Sequence, residues 1–386
     1  MIAYTYYASD PRVRREAEAL AGRGDTVDFI CLREQQEPMR LDYDGVRLHP
    51  LATSRYQGRS VLRYIGIYIS FFIRSFFFVS RLYFKNRYDI VQVHTMPDFL
   101  VFAAAVPKLF GAKVILDVHD LMPELYTCKF GSGSRHWFVR VITWIERRSV
   151  NFAHRAIAVH VPHRDALVSH GNSLKKISVL LNVPDSRIFR RNGDHRSDDK
   201  FRLIYHGTVA RRHGLEIALK AVHSIRAGIP NLEFLVIGRG DDLERVKKLA
   251  VDMGLMGCVR FVGAMPTHEL PRHLVQADVG LVPILYDPFT RYMLPLKLLE
   301  YVGMGIPCIV SETETIRAYF SDDMVRYCKP GDERELAAAI LELHQDADRR
   351  KQLVANASRF NTSYNWDQQR ENYFELVDSL LPASRN

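Results

Sequence analysis

Strand-length apolar runs alternate with helix-period segments along almost the whole chain, and that alternation is the pattern of a parallel sheet covered by helices. In the first half Met1–Tyr6, Thr26–Leu32, Ile90–His94, Lys113–Val118, Ala156–Val161 and Ile177–Leu181 read as strands, with a charged helix over Val13–Arg23. In the second half Arg202–Tyr205, Glu233–Ile237, Arg260–Val262, Val279–Pro283 and Pro307–Val310 read as strands. The helices between them are Gly214–Ala227, Asp241–Met253, Thr267–Ala277 and Leu296–Gly303. The polar stretch RRNGDHRSDDK, residues 190–200, has no apolar period and separates the two βα arrays. A chain of 386 residues also exceeds the roughly 250–300 at which single cores stop growing. The expected architecture is therefore α/β, with Rossmann-like domains over 1–190 and 200–366 and a last helix within 367–386 that crosses back to the first domain. Open parallel sheets bind ligands beyond their carboxyl strand ends, so two such domains facing each other would share one cleft.

Charge is unevenly divided. The net charge is +9, but residues 1–190 hold 27 Lys/Arg against 17 Asp/Glu, which is +10, while the remainder holds 26 against 27, which is −1. Much of the excess lies in residues 54–87, with seven basic residues, ten aromatics and no acid. Drawn at about 100° per residue, Arg55, Arg59, Arg63, Arg74, Arg81 and Lys85 fall within about 120° of arc on a helix that is otherwise mostly apolar. Tyr64–Phe84 is long enough to span a bilayer. The strands on either side belong to one sheet in this reading, however, and a single crossing would separate them. An interfacial helix suits the stripe better, with rings in the headgroup boundary and cations on anionic lipid; a core helix with snorkelling arginines is the plainer alternative. No nucleic-acid motif accompanies the basic charge, so an anionic membrane surface is the expected partner and nucleic acid is not.

Five widely spaced cysteines, with no CxxC pair, predict neither a disulfide framework nor a zinc cage. The opening MIAYTYYASDPRVRREAEAL has no leader pattern, so the expected location is the cytoplasm, at the inner face of the membrane.

Four clusters carry chemistry. In VILDVHDLMPELY a strand delivers Asp117, His119, Asp120 and Glu124 to its carboxyl end, and His94 ends the preceding strand at the same rim. In YHGTVARRHGLE, Gly207 follows a strand and Arg211 and Arg212 precede a helix, a setting for diphosphate. LVIGRGDDLERV turns from strand to helix through Gly238, Arg239 and Gly240, although any βα turn can use glycine. In YMLPLKLLEYVGMGIPCIV, Leu296 opens a helix with Lys297 in its first turn, where a cation opposes the dipole unless an anion is bound. Glu300 follows at i+3, placed for sugar hydroxyls, or for a simple surface pair with Lys297. HExxH, Ser–His–Asp order and a P-loop are all missing from the sequence, which leaves hydrolase and NTPase readings unsupported.

Taken in order, these motifs, with SDPRVRREAEAL in the first loop and RFVGAMPTHELPRHLVQADVGLVP in the second half, resemble the retaining glycosyltransferases of family 4, whose fold is GT-B. The resemblance implies that a nucleotide sugar, UDP- or GDP-linked, binds the C-terminal domain as substrate and that no cofactor or metal takes part. It implies Arg212 or Arg211 and Lys297 on the diphosphate, Glu300 on the ribose, Gly238–Gly240 with Val262 and Gly263 at the nucleoside, and the amides near Leu296 at the phosphate. His119 matches the residue that reaches the donor sugar near its anomeric carbon. Asp10, Arg12, His94, Asp120 and Glu124 fall on the acceptor side, where a lipid-linked glycan of polysaccharide assembly is the expected acceptor. The implied chemistry is front-face transfer, the leaving diphosphate helping to deprotonate the acceptor. Tyr292 stands where the family often has a glutamate for sugar hydroxyls, and Ser9-Asp10-Pro11-Arg12 replaces its glycine pair. A nucleotide-sugar 2-epimerase of the same fold and a degenerate membrane-bound scaffold are the alternatives.

Overall fold

The computed structural model describes residues 1–33, 41–53, 61–130, 136–190 and 198–381. It divides into two compact units, residues 1–182 with 367–386, and residues 183–366. Most of the polar stretch 190–200, like Arg55 and Arg59, lies outside the described residues.

The first unit runs α1 (Pro11–Arg23), β1 (Val27–Leu32), a hairpin of β2 (Asp42–Tyr43) and β3 (Val46–Leu51), α2 (Val61–Asn86) and β4 (Ile90–His94). A 3-10 segment, Asp98–Ala104, leads into α3 (Ala105–Leu109), followed by β5 (Lys113–Val118), α4 (Met122–Phe130) and α5 (Trp137–Phe152). β6 (Arg155–Ala158), α6 (Val161–Ser169) and β7 (Ile177–Val179) complete it. The expected first strand, Met1–Tyr6, pairs only at Ile2, which bridges Ile30 of β1 and Val93 of β4. That bridge joins β2-β3-β1 to β4-β5-β6-β7 in one sheet, antiparallel only at β2-β3. The strand expected over Ala156–Val161 stops at Ala158, because the His160 side chain accepts from the His163 amide and caps α6 instead.

β3 and β4, on either side of α2, thus belong to one sheet, although Ile65–Asn86 is long and apolar enough to cross a membrane. Right-handed crossovers fix the sidedness. The sheet winds outward from Ile2 through β1 to β3, returns over α2, and then advances from β4 to β7. α2, α3 and α5 therefore share one face and α1 takes the other. Ring contacts tie that layer together: Phe72 of α2 lies 5.8 Å from Phe99, and Phe102 lies 5.1 Å from Phe152 of α5.

The second unit alternates regularly: β8 (Phe201–His206), α7 (Leu215–Ile225), β9 (Leu232–Ile237), α8 (Leu243–Asp252), β10 (Val259–Val262), α9 (Leu270–Leu274) and β11 (Val279–Val282). α10 (Leu296–Gly303), β12 (Cys308–Ser311), α11 (Glu314–Arg317), β13 (Arg326–Cys328), α12 (Glu333–Gln345) and α13 (Ala347–Ser363) follow. The sheet is parallel in the order β10-β9-β8-β11-β12-β13. Its core is continuous from Phe201 and Leu203 through Phe234, Val279 and Ile309 to Ile340. The helix expected over Thr267–Ala277 is shorter, a 3-10 turn at Thr267–Glu269 and then α9, with Pro271 in the first turn of the new helix.

The last helix, α14 (Trp366–Asp378), lays Tyr373 and Val377 against Ile115, Ile157 and Leu180 of the first unit. Arg23 of α1 pairs with Asp378 at 2.9 Å, so α14 and α1 share a face.

Candidate active site

Both sheets reverse their winding once, and such a switch point opens a crevice at the carboxyl strand ends. In the second unit it lies between β8 and β11. The loop after β8 begins at Gly207 and is packed backbone to backbone against its neighbour. A Cβ on Gly238 would stand 1.9 Å from the Gly207 carbonyl oxygen, and one on Gly240 would stand 2.0 Å from that of Val209. The amides of Gly207 and Gly238 donate to Ile237 and Val262 at 2.9 and 3.1 Å. The glycines of this turn are accounted for by close packing of two loops, and those two amides face the protein. Arg239 is exposed, Val262 is half-buried and Gly263 is exposed with open space around it.

α10 follows β11 at the same end of the sheet. Its N-cap, Pro295, makes no side-chain cap, so the first turn at Leu296 and Lys297 is open. Tyr301, fully buried, places its hydroxyl 3.2 Å from both the His206 amide and the Ile204 carbonyl, which fixes α10 on β8. Gly280 of β11 makes room for that ring, since a Cβ there would lie 2.5 Å from it. Lys297 is consequently held inside. It is 7% exposed, its Nζ sits 3.5 Å from the centre of the Tyr205 ring, and it has no hydrogen-bond partner among the described residues. Burial pushes its pKa down to about 7, with Glu300 pulling weakly the other way. A buried ammonium that makes no hydrogen bond, set in an uncapped first turn, is unfavourable by itself and is relieved by an anion.

Glu300, also buried, lies with Oε2 3.2 Å from His206 Nε2. Burial, aided by the Lys297 charge, holds His206 at about 3, so the ring is neutral and the contact is not an ion pair. His213 is likewise pushed to about 3, by burial and then by Lys297 and Arg212, which places both cations around that ring. The Arg212 guanidinium stacks 5.2 Å over Phe289, while Arg211 is exposed. Tyr292 ends a short 3-10 turn and lies under Arg291, 5.1 Å away. The switch point thus gathers Gly207, Arg212, Lys297 and Glu300. It adds Tyr205, His206, His213 and Tyr301, which the sequence reading left without roles. The alternating His-Gly and His-Gly-Leu-Glu around Arg212 were the available signal for the two histidines.

In the first unit the switch point lies between Ile2 and β4. β4 ends on His94 and β5 carries Asp117. His94 Nδ1 and His119 Nε2 each lie 2.8 Å from Asp117 Oδ2, and all three residues are buried. Thr95 receives the His119 amide at 3.0 Å. Burial opposes ionisation of Asp117, but His119 and His94 outweigh it and hold the carboxyl well below its ordinary range. A carboxylate only accepts, so both imidazoles donate to it. His119 Nδ1 and His94 Nε2 point away from that carboxylate, and neither has a hydrogen-bond partner among the described residues. This group is the one among the described residues with three potential metal-ligand atoms close together. Its contacts are hydrogen-bond lengths, and a cation would have to displace the shared protons.

Asp10 caps α1 and accepts from Arg12 Nε at 3.1 Å and from Thr5 at 3.1 Å. Asp120 is half-buried beside this pair and contributes to holding Arg12 charged. Glu124 does not reach this group: one oxygen takes His170 Nε2 at 2.9 Å, and His170 also meets Glu146 at 3.0 Å. Burial opposes the His170 charge, but the two glutamates raise it to about 10, making a structural ion cluster.

Two family models cover the chain in succession: a glycosyl transferase 4-like domain over residues 9–182, and glycosyl transferases group 1 over residues 186–360. The amylovoran biosynthesis glycosyltransferase AmsK of Erwinia amylovora is 27% identical over 217 residues, 55% of this chain and 53% of that protein, so the match spans about half of that relative. A D-inositol 3-phosphate glycosyltransferase of Paenarthrobacter aurescens is 25% identical over 78% of this chain and 76% of its own. Among solved structures, Anabaena HepE in complex with UDP superposes with a TM-score of 0.75 at 14% identity, covering 98% of this chain and 99% of that one. Two successive glycosyltransferase domains, each a Rossmann-like sheet with its polar residues at the switch point, identify the chain as a member of the group 1, family 4-type glycosyltransferases with the GT-B fold.

Proposed function

We propose that the chain is a retaining, metal-independent glycosyltransferase that moves a sugar from a nucleoside-diphosphate sugar to an acceptor at an anionic membrane surface, in polysaccharide assembly. The observation that carries the reading is Lys297, a buried amine with no hydrogen-bond partner among the described residues, in the open first turn of α10. A diphosphate there would restore Lys297 to its charged form and take hydrogen bonds from the first-turn amides. Arg212 would add a second cation, and Glu300, beside neutral His206, would accept from ribose hydroxyls. Cations fixed before the reaction stabilise a departing diphosphate without a metal ion. The same diphosphate would then take the acceptor proton on the face it leaves, giving retained configuration. His119, held by Asp117 through Nε2, would face the donor sugar with Nδ1.

UDP as donor nucleotide is supported by HepE, whose structures hold UDP and UDP-glucose, and GDP is the alternative that the titration below separates from it. A polysaccharide acceptor is supported by the name of AmsK. The membrane reading rests on α2. Phe71, Ser75, Val79 and Tyr83 face the protein, whereas Ile69, Ile73 and Phe77 are 44–68% exposed beside exposed Arg63, Arg74, Arg81 and Lys85. Such a helix seats in a headgroup layer from the cytoplasmic side while the rest of the chain stays in water.

Calorimetric titration with UDP and GDP tests the site. Wild type should bind one of them, and Lys297→Ala or Glu300→Ala should weaken it by about 1–3 kcal/mol. Unchanged affinity in both variants would refute the assignment. Donor incubated without acceptor should remain unepimerised, and EDTA should leave transfer intact.

A further inference from the structure

α2 is not the sole element of its layer that shows apolar side chains to solvent. On α5, Trp137, Val141 and Trp144 recur at i, i+4 and i+7 and are 67%, 42% and 56% exposed. At the tip of α3, Leu109 and Phe110 are 80% and 53% exposed, and the Phe110 ring packs 5.2 Å from Phe84 of α2. Scattered exposed leucines are ordinary, but two exposed tryptophans on one helical stripe are not. Tryptophan concentrates where one side is apolar and the other wet.

Charge says what covers this stripe. On α5 the exposed partners are Arg140, Arg147 and Arg148, the last stacked 5.3 Å over Trp144, while the one acid of the helix, Glu146, is buried against His170. α2 carries no acid, and Asp98, between the two helices, is buried. α2, α3 and α5 lie on one face of the first sheet, bridged by the Phe72–Phe99 and Phe102–Phe152 contacts. That face is apolar and cationic with no exposed acid on its three helices among the described residues, which matches an anionic phospholipid headgroup layer.

We infer that α5 is a second membrane anchor: Trp137 and Trp144 enter the headgroup boundary together with α2, so that the helical face of the first unit lies flat on an anionic bilayer. The inference rests on the membrane reading of α2 and extends it to a helix with an independent signal. Two parallel contacts fix orientation where one helix alone would let the protein roll about its axis. Because α2 follows β3 and α5 leads directly into β6, both run antiparallel to the strands, with their first turns toward the carboxyl end of the sheet, where His94 and His119 stand.

The chain offers its own reporter, since its three tryptophans are Trp137, Trp144 and Trp366, and the third is buried. Full-length protein would be mixed with phosphatidylcholine vesicles with and without phosphatidylglycerol, some carrying brominated acyl chains. The expected result is flotation with phosphatidylglycerol vesicles alone, accompanied by a blue shift and quenching of tryptophan emission. Trp137→Phe with Trp144→Phe should keep binding and lose the quenching; Trp137→Ser with Trp144→Ser should lower vesicle affinity about tenfold with nucleotide affinity intact. Flotation without quenching would overturn the α5 anchor and leave α2 as the sole contact. No flotation would overturn both. A dimer that the double serine variant dissociates would show the stripe to be an interface between copies, and the inference would fall.

Discussion

At the scale of single residues, Lys297 links stability, pH and ligand. Its pKa is about 7 in the folded chain, against 10.5 for an ordinary lysine, so above about pH 7 the unfolded state binds one more proton than the native one. This lysine therefore weakens the fold below about pH 7, and the deficit is relieved as pH rises toward 10.5. Lys297→Met should raise the melting temperature at pH 7 and below, while removing nucleotide affinity; a scan with and without UDP checks both signs. In wild type, an anion that requires the charged lysine must bring a proton with it above about pH 7. Affinity should then fall by up to about tenfold per pH unit, with proton uptake visible by calorimetry in buffers of different ionisation enthalpy. His206 and His213 stay neutral throughout, so a slope that persists in Lys297→Met would reject this account. Gly240→Ala tests the packing beneath the site: its Cβ would meet Val209 backbone at 2.0 Å, and the shift should cost about 1–3 kcal/mol in chemical denaturation.

At the scale of elements, α14 shows how a terminal helix is fixed. The Tyr373 hydroxyl donates to Gln92 Oε1 at 2.6 Å, and Gln92 Nε2 donates to Glu16 at 2.5 Å, all three buried. Tyr373→Phe leaves the Gln92 carbonyl unpaired in the core and should lower stability by about 1–3 kcal/mol, read from the urea midpoint. Strand positions were legible wherever an apolar run was continuous: β4 and β5 lie where the sequence puts them, because strands buried on both faces need no polar alternation. Met1–Tyr6 reads as a strand by composition, yet only Ile2 pairs on both sides before the chain turns into a 3-10 segment. The hairpin of β2 and β3 left a signal that the periodicity reading passed over, Asp44-Gly45 between Tyr43 and Val46. Both residues have positive φ, 51° and 85°, as a two-residue primed turn demands. In the site, Lys297 and Glu300 were legible from helix position. The burial that depresses Lys297 was not, since it depends on Tyr205 and Tyr301, distant in sequence and adjacent only once β8 and α10 pack.

At the scale of the whole molecule, the uneven charge separates two kinds of binding by their response to salt. The +10 of residues 1–190 includes the exposed cations of α2 and α5, whose attraction to anionic lipid is long-ranged and screened within about 8 Å at 0.15 M salt. Lys297 is buried, its field acts over contact distances, and its half of the sequence is nearly neutral at −1. Raising salt from low to physiological strength should therefore release the protein from phosphatidylglycerol vesicles while changing nucleotide affinity little. Arg63→Glu with Arg74→Glu and Arg81→Glu shifts the total by six charges at exposed positions and should abolish vesicle binding even at low salt, with the calorimetric nucleotide titration unchanged. Parallel loss of both affinities in that variant would mean that the basic face serves the fold, and a vesicle affinity indifferent to salt would mean that apolar side chains alone hold the surface. Selective loss of the first affinity would assign the surplus of +10 to a membrane and leave the nucleotide to the switch point of the second sheet.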